Sequence, residues 1–230
     1  MDKSPTLEEF LAQALPKDAE KPHALVVGEH HDQVENLRYF TDQLDKLKTH
    51  NNLGAIGLEK SPFMEVVLWA YADGLVDAAY VKRMFQAYGD SRFFESMKAR
   101  ASLAIESIKR DIPFFCIDAR NTFTEFSERK DSIDAYQEAL SKDPDLREKI
   151  INEEDLLFIN RPQDIRVGFL ISEMQMLLEN KKHPEYQARL NDIEAVIAAQ
   201  RTLRGESKLL GYDAVSAAMM AERTLKGKMF

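Results

Sequence analysis

Four aliphatic residues run directly into Gly28-Glu29-His30-His31 in the stretch "HALVVGEHHDQVENLRYF" (23–40), and a helical pattern starts at once. Two further acids close apolar runs of the same kind. Glu59 ends "LGAIGLE" (53–59), and Asp118 ends "IPFFCID" (112–118) with Arg120 close behind. An imidazole titrates near neutrality, so it can take or give a proton or bind a metal through one nitrogen. Clustered carboxylates resist joint ionisation, which keeps one of them protonated as a general acid. The helix starting near Asp32 or Gln33 aims free amide groups and a positive dipole end at the same corner, suited to a developing oxyanion.

This set is chemically definite in type. Glu29 and His31 can act as general base and proton shuttle for water, while Glu59 and Asp118 orient the imidazole. Glu29 and His31 are also the candidate metal ligands, although the two-histidine helical spacing of common metalloproteases is missing. Gly28, His30 and Arg120 are further binding candidates. Strand neighbours point to opposite sides, so His30 and His31 are not expected to share one site. A structural alternative stands beside this reading: acids at strand ends cap helices or pair with arginine, and adjacent histidines can form a solvated turn. Spacing alone leaves both open. His23 at a strand entry, His50 at the end of a polar helix and His183 before Pro184 read as surface residues rather than ligands.

The elements that must position these residues are few. The runs 23–28, 53–59 and 112–118 each read as a fully buried strand of a parallel sheet covered on both faces. Between them, Val34, Leu37, Phe40, Leu44 and Leu47 recur at helical spacing over 33–48, leaving Glu35, Arg38, Asp42 and Lys46 for the outer face. Asp32 with Glu35 resembles a capping box, and Ser61-Pro62 marks a second helix start with serine as cap. Helices are expected over 75–88 and 92–110, separated at Gly89-Asp90-Ser91. Strands alternating with helices indicate parallel pairing with right-handed crossovers, and ligands then bind beyond the carboxyl ends of the strands.

After Asp118 the character changes. Amphipathic helical patterns fill about 131–226, broken near Asp143-Pro144, Arg161-Pro162, His183-Pro184 and Gly205. The expected fold class is therefore α/β: one domain over 1–230, with a mostly parallel central sheet of few strands flanked by helices. Its half 1–125 carries the site, and 126–230 forms a large helical C-terminal half. The segment "FINRPQDIRVGFLISEMQMLLEN" has enough apolar positions to be buried against the sheet. Tyr71, Tyr80, Tyr88 and Met84 could neighbour a planar cofactor, but at helical spacing such residues read as packing.

Composition narrows the class. Lys plus Arg total 31 against 39 Asp plus Glu, a formal charge of −8 over 230 residues. An acidic chain without a basic block argues against nucleic acid or an anionic membrane as main partner. Cys116 is the one cysteine, so no internal disulfide forms; it reads as a small buried thiol. The acidic, amphipathic start lacks the apolar core of a signal peptide, and no apolar run spans a bilayer. A cytoplasmic protein, or one exported by a route independent of a signal peptide, is expected. The C-terminal helices offer a surface for a homo-oligomer or a protein partner.

"ALVVGEHHDQVENLRYFTDQLDKL…LGAIGLE" resembles the opening of the superfamily that contains erythromycin esterase-like proteins, haem-binding ChaN lipoproteins and Tiki/TraB proteins. That group opens with an apolar strand, Gly-Glu-x-His, a helix and a second strand ending in Glu. Gly28, Glu29 and His31 match the motif with His30 as its variable position, Glu59 matches the second acid, and "IPFFCID" ending in Asp118 looks like the third strand. The similarity covers roughly the first half of the chain. It implies a three-layer α/β fold with the motif in the cleft, and activities ranging over ester hydrolysis, proposed metal-dependent proteolysis and haem binding. A divalent metal or haem is thus compatible with the resemblance, although no cofactor is the leading expectation. "SAAMMAERTLKGKMF" resembles the family's later helix at Met220-Ala221, but Ser216 stands where a basic or amide residue is usual. No histidine follows His183, so the second histidine motif is missing. Two expectations follow: a hydrolase of ester-like or amide substrates, or a non-catalytic ligand-binding or effector domain whose half-site was lost or truncated.

Overall fold

The computed structural model describes residues 34–51, 53–89, 91–117, 130–152, 158–180, 182–193 and 195. It begins with helix α1 (Glu35–Asn51), strand β1 (Ile56–Leu58) and a 3-10 turn (Pro62–Met64) that runs into helix α2 (Glu65–Ala72). Helix α3 (Ala78–Tyr88) follows, then helix α4 (Phe94–Ile108) and strand β2 (Phe114–Cys116). The second half supplies α5 (Lys130–Lys142), α6 (Leu146–Asn152) and α7 (Gln163–Leu178), and residues 185–193 are again helical. The fold is α/β but predominantly helical, with a two-stranded parallel sheet among the described residues.

The expected parallel pairing is present. Ile56 pairs with Phe114, Gly57 with Phe115 and Leu58 with Cys116. Two flanking bonds extend the ladder: Ile56 N donates to Pro113 O at 2.8 Å and Ile117 N to Leu58 O at 2.9 Å. Both strands are shorter than the apolar runs that announced them, partly because Pro113 has no amide hydrogen to give. β2 is buried throughout, as expected, whereas Ile56 and Gly57 of β1 are only partly covered. The run 23–28 lies outside the described residues.

α1 starts two residues later than the periodicity suggests and buries Leu37, Leu44 and Leu47 against α4. Arg110, just past the end of α4, grips Asp45 of α1 with Nε at 2.9 Å and a terminal nitrogen at 3.2 Å, and also bonds Glu106. α4 then ends in a left-handed residue: Asp111 has φ 52°, and Ile112 N closes back on Ser107 O at 2.9 Å. Asp tolerates this conformation better than most residues, and the reversal aims the chain into β2. α2 ends in the same way at Gly74, φ 71°, with Leu75 N bonded to Ala70 O.

Ser61 occupies the predicted cap position with Pro62 behind it, but its hydroxyl makes no capping bond. The Ser61 carbonyl receives Met64 N instead, at 2.9 Å, because the first turn is 3-10. α2 is buried on nearly all sides, from Glu65 to Ala70, and belongs to the hydrophobic cluster that joins the helices. α7 is buried too. It packs mainly on α5, α3 and α2, not on the sheet as its apolar content had suggested. Met84 is buried, Tyr71 and Tyr88 pack against the core, and the Tyr80 hydroxyl is bonded to Glu173. Among the described residues no helix is long and apolar enough to cross a membrane.

Candidate functional site

Parallel pairing delivers the ends of β1 and β2 side by side. Glu59 is the first residue beyond β1, half-buried, and Lys60 N turns back onto Leu58 O at 2.7 Å. The Lys60 ammonium then lies 5.3 Å from the centre of the Tyr88 ring. Ser61 is fully buried, and its Oγ has no hydrogen-bond partner among the described residues. Four residues on, Glu65 opens α2 with its side chain buried, and Oε1 accepts the Cys116 amide at 2.8 Å. A carboxylate accepting a backbone N–H in a dry setting forms one of the stronger hydrogen bonds. It ties the start of α2 to the last residue of β2, so the rim that holds Glu59 is braced from beneath.

Of the residues expected at this rim, Glu59 is described and placed at the strand end. Gly28, Glu29, His30, His31, Asp118 and Arg120 lie outside the described residues, as do Asp32, Gln33, Ser216 and Met220-Ala221. The described chain reaches Ile117, whose amide is bonded to Leu58 O, one residue before Asp118. Glu65 was not singled out by the sequence, and Ser61 only as a helix cap. The signal was present, since Glu65 is the one charged residue between Lys60 and Asp73. A lone acid inside an apolar helix needs a specific partner.

A second buried acid follows the same rule. Glu173 of α7 is the only charge between Arg166 and Glu179. Its Oε1 accepts from Arg147 Nε at 2.6 Å, and its Oε2 accepts from an Arg147 terminal nitrogen at 2.7 Å and from the Tyr80 hydroxyl at 2.8 Å. Burial, with Glu173 beside it, drives the Tyr80 phenol far above its usual range. The Glu173 bond holds the Arg147 guanidinium protonated. Tyr136 lies close enough to feel the same charge. Burial and Glu173 push its phenol up to about 12, and its hydroxyl has no hydrogen-bond partner among the described residues.

That orphaned hydroxyl yields a prediction of sign. Tyr136→Phe removes a buried polar group that receives nothing in return, so stability at pH 7 should rise by about 1 kcal/mol, where an ordinary hydrogen-bonded tyrosine would lose as much. The pH dependence follows from the raised value. The unfolded phenol ionises near 10 and the folded one near 12, so Tyr136 leaves stability intact below 10 and erodes it as pH rises through that window. Urea melts at pH 7 and pH 11 check both points. The Phe variant should be the more stable at each, by a wider margin at the higher pH, and a loss at pH 7 refutes the reading.

Buried arginines stand behind the rim. Arg166 donates to Gly89 O at 2.9 Å, with its guanidinium 4.9 Å from the Phe94 ring, and Arg83 lies 4.7 Å from Phe158. Those two rings pack edge-on at 6.0 Å. Gly89 directly follows Tyr88, so this cationic, aromatic wall connects to the Lys60 contact at the strand end. No family model matches the chain, and no curated protein or solved structure matches it at a significant level.

Proposed function

We propose that the chain is a hydrolase of ester-like substrates, acting at the carboxyl edge of its parallel sheet. In this reading, residues 23–28 supply a further strand and deliver Glu29 and His31 to the rim where β1 delivers Glu59. Glu29 takes a proton from water, with His31 as shuttle. The hydroxide adds to the acyl carbon, the ester C–O bond breaks, and the proton goes to the leaving alcohol. Glu59 and Asp118 hold the imidazole in position. No serine stands in a Gly-x-Ser-x-Gly turn, so activated water is the nucleophile of choice.

The observation that carries the proposal is the register of β1 against β2. It sets Glu59 beside the end of the strand that runs on to Asp118. The start of α1 at Glu35, four residues after His31, adds support, because it puts a helix amino end directly downstream of the motif. The resemblance of residues 24–59 to the erythromycin esterase-like superfamily points the same way.

Release of p-nitrophenol from p-nitrophenyl acetate tests the idea. Wild type should turn the ester over above buffer, and Glu29→Gln, His31→Ala and Glu59→Gln should each lower kcat/KM by about 100-fold or more. Their urea midpoints should stay near wild type. An inactive wild-type protein, or three variants with undiminished rates, would sink the proposal.

A further inference from the structure

We propose a site for a first-row divalent cation, with Zn2+ as the natural probe, formed by Asp73, His183 and Glu185 at the carboxyl end of α2. This site is separate from the strand-end rim. The three side chains each offer one donor atom, and the donors lie within 4.8 Å of one another. His183 Nδ1 is 3.1 Å from Glu185 Oε1 and 3.6 Å from Asp73 Oδ2. Donors bound about 2.0–2.2 Å from a tetrahedral zinc sit about 3.4 Å apart, so the two separations bracket what one ion requires. The donor set of one imidazole and two carboxylates suits zinc or manganese better than magnesium, which prefers oxygen alone.

The surroundings favour a cation in three ways. Asp73 is the C-cap of α2, where unsatisfied carbonyls make the negative end of the helix dipole. The Tyr186 hydroxyl donates to Asp73 Oδ2 at 2.8 Å and Tyr186 is itself fully buried, so the carboxylate is oriented by a fixed partner of the kind that supports metal ligands. Pro184 stiffens the chain between His183 and Glu185, and Tyr186 N bonds back to His183 O at 3.1 Å. The neighbouring cation, Arg189, spreads over the Trp69 and Tyr186 rings, 5.3 and 5.8 Å from their centres, and makes no ion pair with Asp73 or Glu185 among the described residues. His183 is thus better placed to bind an ion than its position before Pro184 suggests. Three protein ligands leave a fourth position for water or for an outside donor. Occupancy would clamp the end of α2 to the 183–186 turn.

Zn2+ titration by calorimetry into the full chain after chelator treatment, with thermal melts alongside, provides the test. The expected result is one equivalent bound to wild type with a raised Tm. Asp73→Asn keeps an acceptor for Tyr186, and His183→Gln keeps a polar side chain of similar reach. Each should weaken binding at least about tenfold and remove the Tm shift, while circular dichroism confirms the fold. Tyr186→Phe should weaken it by about tenfold through its hold on Asp73. His31→Ala should bind like wild type, which separates this site from His31. Three outcomes would overturn the proposal: no stoichiometric Zn2+ in wild type, undiminished binding in both ligand variants, or loss of the ion on replacing His31.

Discussion

Replacing Arg147 by methionine is expected to destabilise the protein by about 3–5 kcal/mol, the range for removing one partner of a buried ion pair. The carboxylate left behind decides the size. Glu173 retains only 3% of its side-chain exposure, so after the change its charge is stranded with a single donor, Tyr80. Methionine preserves most of the apolar stem, so little of the loss comes from packing. Arg147 is 41% exposed on its own side, which lets some water reach the vacated space and favours the lower end of the range.

The same asymmetry predicts an order among variants. Glu173→Gln keeps an acceptor for Tyr80 and leaves Arg147 able to hydrate, so it should cost about 1–2 kcal/mol. The double variant Arg147→Met, Glu173→Leu removes both charges and should recover much of the loss, since well-packed apolar groups often replace a buried pair at little cost. Urea denaturation of wild type, the double variant and its two component singles, Arg147→Met and Glu173→Leu, gives the coupling energy directly. An Arg147→Met loss below about 1 kcal/mol would mean that Glu173 is well solvated in the native state, contrary to its burial.

How much of this was legible beforehand depends on the kind of signal. The strands β1 and β2 were readable because each lies in a short apolar run bounded by Gly or Pro. Both strands proved shorter than their runs, since Leu53, Gly54 and Ala55 make no strand pairing and Pro113 cannot donate. The spacing of Leu37, Leu44 and Leu47 located the buried face of α1, while Val34 and Phe40 at the flanks of that stripe are only partly covered. Glu59 lies directly after β1, at the strand end where the apolar run placed it. Glu65 and Glu173 sit inside apolar helices, where no strand-end pattern marks them. The Asp73–His183–Glu185 cluster had no sequence signature. Its members are brought together by the packing of Tyr186 on Trp69, whose ring centres lie 5.8 Å apart, and that contact joins segments far apart in the chain.

The second large effect lies at Gly168, in the middle of α7. Glycine in a helix interior is disfavoured against alanine by about 1 kcal/mol, so Gly168→Ala would ordinarily stabilise an exposed helix. Here the sign should reverse. A Cβ on Gly168 would meet the Ser132 carbonyl oxygen at 2.1 Å and the Tyr136 Cβ at 2.6 Å. The first obstacle is backbone of α5, which cannot rotate aside as a long side chain can, so the two helices must part. Overpacking of this kind costs about 1–3 kcal/mol and at times more. We expect Gly168→Ala to lose about 2–3 kcal/mol net, and Gly168→Val to lose more. The consequence reaches the ion pair, because Tyr136 lies on α5 and Glu173 lies one turn and a half along α7 from the glycine. Parting the helices would let water reach Glu173, so Arg147→Met should cost less in the Gly168→Ala background than in wild type. Trp69, the chain's only tryptophan and a core residue, reports the unfolding transition in each case. A stability gain in Gly168→Ala would show that α5 and α7 sit farther apart than the close approach at Ser132 requires.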